Sequence, residues 1–163
     1  MTDMKSHALE LAGVYGFCVF PVTAPSHYGS APGKRPLIKE WPQLATTDPQ
    51  QIEDWWSRWP EANIGVATGR PSNIWVLDVD MKSGGPDGLS TLRKLEQEMG
   101  PFPDTLTAIT GSGGLHLYFR YDPEAPVRSR ADVLPGIDVR GDGGYVVAPP
   151  SLHVSGSRYK WKN

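Results

Sequence analysis

Residues 5–15 carry Ala8, Leu11, Ala12 and Tyr15 at helical spacing, and Gly16 follows as a stop. The pattern predicts a helix leading into the apolar, strand-like run from Phe17 to Val22. Residues 23–44 lose this periodicity. Pro, Gly and Ser gather around Gly33-Lys34-Arg35-Pro36 and Trp41-Pro42, which predicts a long loop of the kind that is usually functional or disordered. Period 3.6 returns after Asp48-Pro49, an N-cap followed by proline, with Ile52, Trp55, Trp56 and Trp59 at i, i+3, i+4 and i+7. This tryptophan stripe is assigned to the core in preference to a ligand platform. Pro60 ends the helix, and strands over 63–67 and 74–80 follow, joined by Gly69, Pro71, Ser72 and Asn73. A third helix starts at the cap Asp87, with Leu89, Leu92 and Leu95 on one side and Gly100-Pro101 beyond its end.

The remainder predicts strands over 105–110, 114–120, 136–140, 145–148 and 157–162, each bounded by Gly or Pro. Uneven alternation of strands and a few helices favours a mixed sheet with helices packed on it, α+β or α/β, over a regular βαβ array. No internal repeat is present. The length of 163 residues, with 39% hydrophobic and 21% charged residues, fits one domain over 1–163, in one or two lobes.

Charge complicates the picture. Sixteen Lys+Arg against 18 Asp+Glu give a net charge of -2, not the basic balance usual for a nucleic-acid binder. Local groups such as Lys34, Arg35 and Lys39, or Arg158, Lys160 and Lys162, can still meet phosphates, and equally can be ordinary solvated charge. Cys18 stands alone, so it forms no internal disulfide and reads as a small buried hydrophobe in a reducing interior. No stretch has the length of a membrane span, and residues 8–22 are interrupted by Glu10 and Pro21. The expected location is cytoplasmic.

Three segments carry candidate chemistry. In Ile74-Trp75-Val76-Leu77-Asp78-Val79-Asp80, alternation puts Asp78 and Asp80 on one face about 7 Å apart, with Trp75, Leu77 and Val79 on the other. Such a pair repels itself unless a positive charge intervenes, and hard oxygen ligands suit Mg²⁺ or Mn²⁺; two aspartates at a strand end also serve as solvated turn formers. In the segment from Gly111 to Phe119, Ser112, Gly113 and Gly114 form a small turn and His116 follows on a strand. Glycine backbone, a hydroxyl and an imidazole can cradle an anion, and the same residues can be a glycine hairpin with a hydrogen-bonded histidine. In Gly136-Ile137-Asp138-Val139-Arg140-Gly141-Asp142, Asp138 and Arg140 share a face; Arg140 can meet a phosphate, or pair with Asp138 or Asp142. Three strands with polar side chains on one face and apolar ones on the other suit a shared phosphoryl-transfer site. There, positioning and charge neutralisation carry most of the catalysis. No serine sits in a nucleophile elbow.

The order Asp-x-Asp, Ser-Gly-Gly-Leu-His and Ile-Asp-Val-Arg-Gly resembles the signature of the bifunctional primase/polymerase (prim-pol) N-terminal domain family of the archaeo-eukaryotic primase superfamily. The likeness extends from about Ala8 to Trp161, through Gly33-Lys34-Arg35-Pro36, Trp41, the Trp-rich helix, residues 63–69 and residues 145–151, then Gly156, Tyr159 and Trp161. It implies a small N-terminal α/β unit packed on an RRM-like catalytic unit with the active site between them. It also implies that Asp78, Asp80 and Asp138 hold two catalytic metals, Mg²⁺ or Mn²⁺, while Ser112 and His116 contact the incoming nucleotide's phosphates and Gly113 and Gly114 allow close approach. Lys34 and Arg140 carry over as further phosphate or template contacts.

The implied reaction is attack of a primer 3′-hydroxyl on the α-phosphate of a dNTP or rNTP, directed by a single-stranded DNA template, in replication of phage, plasmid or other mobile DNA. One cysteine and four scattered histidines make no zinc site of the usual Cys-rich kind. A downstream helical module or helicase is a further implied partner, and residues 159–163 read as a boundary just past the last strand. The alternatives are a metal-dependent nuclease, which needs no triphosphate cradle, and a catalytically silent single-strand binding module stacking bases on Tyr118 or Tyr145.

Overall fold

Capping fixes the helices where the sequence places their ends. In the computed structural model, which describes residues 3–26 and 29–162, α1 (Met4–Tyr15) opens with the Asp3 carboxylate accepting from Ser6 N–H. It closes at Gly16 in the left-handed region, at φ 71°. Strand β1 (Val19–Val22) follows, then a loop containing the single turn α2 (Trp41–Leu44), which the sequence pattern does not predict. Helix α3 (Pro49–Arg58) is capped by Asp48 with Pro49 in its first turn, and Ile52, Trp55 and Trp56 are buried. Trp59 caps its C-terminus, with the Arg58 guanidinium 5.1 Å from its ring centre.

The strands form two sheets. The first has the order β1-β2-β8, with β2 at Asn63–Ala67 and β8 at Tyr145–Ala148. The second contains β3 (Ile74–Val79), β4 (Thr107–Ile109), β5 (Leu115–Arg120), β6 (Arg130–Leu134), β7 (Ile137–Arg140) and β9 (Lys160–Lys162), in the order β6-β7-β3-β5-β4-β9. The expected mixed sheet is corrected here, because every ladder between these strands is antiparallel. The crossover through α4 (Gly88–Met99) joins β3 to β4, and β5 inserts between those two strands, so they do not meet as parallel neighbours. The fold is α+β. The sequence also misses β6, whose Arg-Ala-Asp-Val-Leu shows no alternation and lies largely exposed at the sheet edge.

Both faces of the larger sheet are covered. Leu77, Val79, Leu117 and Ile137 pack with Leu92 of α4. On the opposite face Val76, Ala108 and Tyr118 join the main core with Val19, Ile64, Val66 and Val146 of the smaller sheet and Trp56 of α3. The acid-bearing face of β3 is therefore apolar at Ile74 and Val76 before it turns polar at Asp78. Asp142 braces the links between the sheets: its carboxylate accepts from Tyr121 Oη at 2.5 Å and from Arg70 N–H at 3.1 Å. Gly69, at φ 84°, leaves room for it. No helix among the described residues is long and apolar enough to cross a membrane.

The start of α4 lies directly against the end of β3. Gly88 N–H donates to Asp80 O at 3.0 Å and Asp80 N–H to Gly136 O at 2.8 Å. A Cβ on Gly88 would stand 2.5 Å from Gly136 O and 2.6 Å from Asp80 O. Gly88→Ala is accordingly expected to destabilise the fold by about 1–3 kcal/mol through forced backbone displacement, measured as a lowered urea midpoint with an unchanged m-value.

Candidate active site

Register builds the site. Asp78 on β3 stands opposite His116 on β5 and opposite Asp138 on β7, and two positions back Val76 stands opposite Tyr118 and Arg140. Because side chains alternate, His116, Asp78 and Asp138 form one row on one face, and Asp80 stands beyond the end of β3. One carboxylate oxygen from each of Asp78, Asp80 and Asp138 lies within 4.8 Å of the others.

An imidazole and a guanidinium face the acids. His116 Nε2 is 3.2 Å from Asp78 Oδ1, while Arg140 Nη2 is 2.9 Å from Asp138 Oδ2 and 3.5 Å from Asp78 Oδ2. Asp132, held at φ 52°, donates its backbone N–H to Asp138 Oδ1 at 2.8 Å. Burial pushes the Asp78 carboxyl up, but the His116 hydrogen bond, then the His116, Arg140 and Lys34 charges, outweigh it and hold Asp78 below the usual range. Asp80 goes the other way: burial raises it, and the Asp78 and Asp138 charges add to that against Lys82 and Lys34. Lys82 Nζ approaches Asp80 only to 3.7 Å from an exposed position.

A cleft of about 340 Å³ opens above the acids between the two sheets. Lys34, Trp41 and Tyr145 line it from the side of the smaller sheet, and Thr110, His116, Arg140 and Tyr159 from the larger. Trp41 stacks on Phe20 at 4.9 Å and meets Tyr145 edge-on at 5.0 Å. The backbone at Lys34 is clasped. Gly33 takes φ 78°, buried Asn63 donates Nδ2–H to Gly33 O at 3.0 Å and to Leu152 O at 2.8 Å, and Tyr145 Oη donates to Lys34 O at 2.7 Å.

The structure thus gathers Asp78, Asp80, Asp138, His116, Arg140 and Lys34 around one cleft. Arg140 pairs with Asp138 and Asp78, and Asp142 serves the fold instead. Ser112 and Gly113 sit at the exposed tip of the β4–β5 turn, and Ser112 Oγ is 3.2 Å from Thr110 Oγ1. Gly114 is buried, and a Cβ there would stand 2.1 Å from Val79 O, so its immediate role is a close approach of two backbones. At this turn it is Thr110 that lines the cleft. Thr110, Tyr159, Lys82 and the Asp132 N–H were not singled out from the sequence as parts of the site. Asn63 carried a signal in retrospect, as a polar residue opening an apolar strand.

The donor set suits a hard divalent cation. Three carboxylates converge, and Asp80 is raised by burial first and then by the Asp78 and Asp138 charges, a repulsion that a cation between them would relieve. His116 Nδ1 is buried without a hydrogen-bond partner among the described residues.

Residues 8–163 match the family model Prim-Pol, described as bifunctional DNA primase/polymerase, N-terminal. No curated protein matches the chain.

In the metal-free protein, the Asp80 carboxylate costs stability once pH rises from the unfolded aspartate value, about 3.9, past its raised folded value, and the cost vanishes below that window. Asp80→Asn is expected to raise the metal-free melting temperature at pH 7 by a few degrees and to weaken the further rise that Mn²⁺ gives the wild type. Thermal melts with and without Mn²⁺ measure both.

Proposed function

The chain belongs to the bifunctional DNA primase/polymerase N-terminal family, and from that premise we propose that it performs metal-dependent, template-directed nucleotidyl transfer, extending a primer with nucleoside triphosphates and acting as a primase in DNA replication. The observation that carries this reading is the row His116, Asp78 and Asp138 across three adjacent strands, with Asp80 beyond it. The split arrangement of β3, α4 and β4 around β5 supports an RRM-like catalytic unit, with α1, α3 and the smaller sheet as the N-terminal unit of one prim-pol domain over 1–163.

Asp78, Asp80 and Asp138 would hold Mg²⁺ or Mn²⁺, two ions in the full complex, which neutralise phosphate charge and favour the ionised 3′-hydroxyl. The protein's own part is placement. β3 and β7 fix Asp78 and Asp138 by ladder hydrogen bonds, and the Asp132 N–H and Arg140 orient Asp138. Arg140 and Lys34 supply positive charge, and His116 a ring N–H, in the space where a triphosphate must lie, so the departing pyrophosphate leaves toward a cationic wall. Ser112, Gly113 and Gly114 would reach the phosphates from the turn beside Thr110. Trp41 and Tyr145 offer an aromatic wall for the base or the template strand.

The test is extension of a labelled primer on a DNA template with dNTPs and Mg²⁺ or Mn²⁺. Extension is expected with the wild type, and a loss of about a hundredfold or more in Asp78→Ala and in Asp138→Ala. Shortening of the labelled strand in the absence of nucleotides would replace polymerisation with a nuclease. Unchanged activity in both variants would remove these acids from the chemistry altogether.

A further inference from the structure

The loop between β8 and β9 brings a histidine, part of neither the acid row nor the Ser112 turn, against Gly111 and the cleft-lining Tyr159. His153 packs its Cβ against Gly111, where a glycine Cβ would lie 2.0 Å from it, so only glycine at 111 lets the loop sit on the β4–β5 turn. The imidazole meets Tyr159 edge-on at 6.1 Å, and the other neighbour of Tyr159 is His116, also at 6.1 Å. The rings therefore run outward from Asp78 as His116, Tyr159 and His153.

Local bonds set the tautomer of His153. Ser155 N–H donates to Nδ1 at 3.1 Å, and a backbone N–H can only donate, so Nδ1 is an acceptor and the proton of the neutral ring is on Nε2. Ser155 Oγ lies 2.9 Å from Nδ1 and 3.0 Å from Gly111 O, its one proton serving either acceptor, and fastens the loop to the turn. Asn63 Nδ2–H donates to both Gly33 O and Leu152 O, so Lys34 and His153 extend from adjoining stretches of backbone, and burial, then the charge of Lys34, hold the His153 imidazolium below its ordinary range. Among the described residues neither Lys34 nor His153 has a carboxylate ion-pair partner. An ammonium and a neutral N–H donor on adjoining backbone, next to the turn that carries Thr110, favour an anion between them.

We propose that His153 binds the β- and γ-phosphates of the incoming nucleoside triphosphate through Nε2–H, together with Lys34. This assignment rests on the nucleotidyl-transfer reading, and places His153 at the distal phosphates because Tyr159 separates it from His116 and the acids. No bond is made or broken at His153.

Two substitutions separate this role from a purely local one. His153→Asn keeps an acceptor for Ser155 N–H and loses the Nε2 donor; His153→Gln keeps a donor near Nε2 and loses the local acceptor. Binding of dATP, inorganic tripolyphosphate and dAMP, each with Mg²⁺, is measured by titration calorimetry alongside melting temperature. His153→Asn is expected to weaken dATP and tripolyphosphate about tenfold, leave dAMP unchanged and melt as the wild type does, while His153→Gln keeps most of the dATP affinity. Wild-type dATP affinity in His153→Asn overturns the assignment, as does equal weakening of dATP and dAMP, or weakening only of single-stranded DNA. Failure of the wild type to bind dATP at all overturns the nucleotidyl-transfer reading beneath it.

Discussion

The antiparallel register of β3 with β5 and β7 is the constraint on which the site depends. One residue of slip on either side would send His116 or Asp138 to the face packed on α4, among Leu77, Leu117 and Leu92. The apolar alternation on both faces forbids that slip, since Val76 and Tyr118 must stay in the layer between the sheets. Burial of ordinary hydrophobic residues thus decides where three negative charges meet, and the meeting itself is unfavourable. Arg140 and His116 offset it at Asp78 and Asp138; at Asp80 they do not, and the carboxyl there remains raised.

Much of this was legible before the fold was known, for reasons that differ by element. Asp48-Pro49, Asp87 and Gly16 announce helix ends through local hydrogen bonding and backbone preference, so α3, α4 and the end of α1 fall where the sequence puts them. Strand parity put Asp78 and Asp80 on the same side of β3, because alternation needs no knowledge of partners. Partnering was the illegible part. Nothing in Arg130–Leu134 marks an edge strand, and its bulge beside Asp132, which aims a backbone N–H at Asp138, follows from its contact with β7 and not from local preference.

The polar residues divide in the same way. Asp138 and His116 could be nominated because each sits in a strand with an apolar opposite face. Lys34 lies in a loop without periodicity, and only the Asn63 clasp and the Tyr145 hydroxyl show how it is held over the acids. The glycines of the Ser112 turn were read as room for a phosphate. Gly114 and Gly111 also admit the Val79 backbone and the His153 side chain, so their small size serves contacts within the protein that no local pattern announces.

Asp142 has a mechanical consequence. The chain passes between the two sheets through residues 68–73, 141–144 and 149–159, and the first two links are tied to this carboxylate, through Arg70 N–H on one side and its own backbone on the other, with Tyr121 as a strut. Short tethers knotted at a common point resist swinging. Two of the walls that face each other across the cleft are thus hung from one carboxylate, and its loss would loosen both at once.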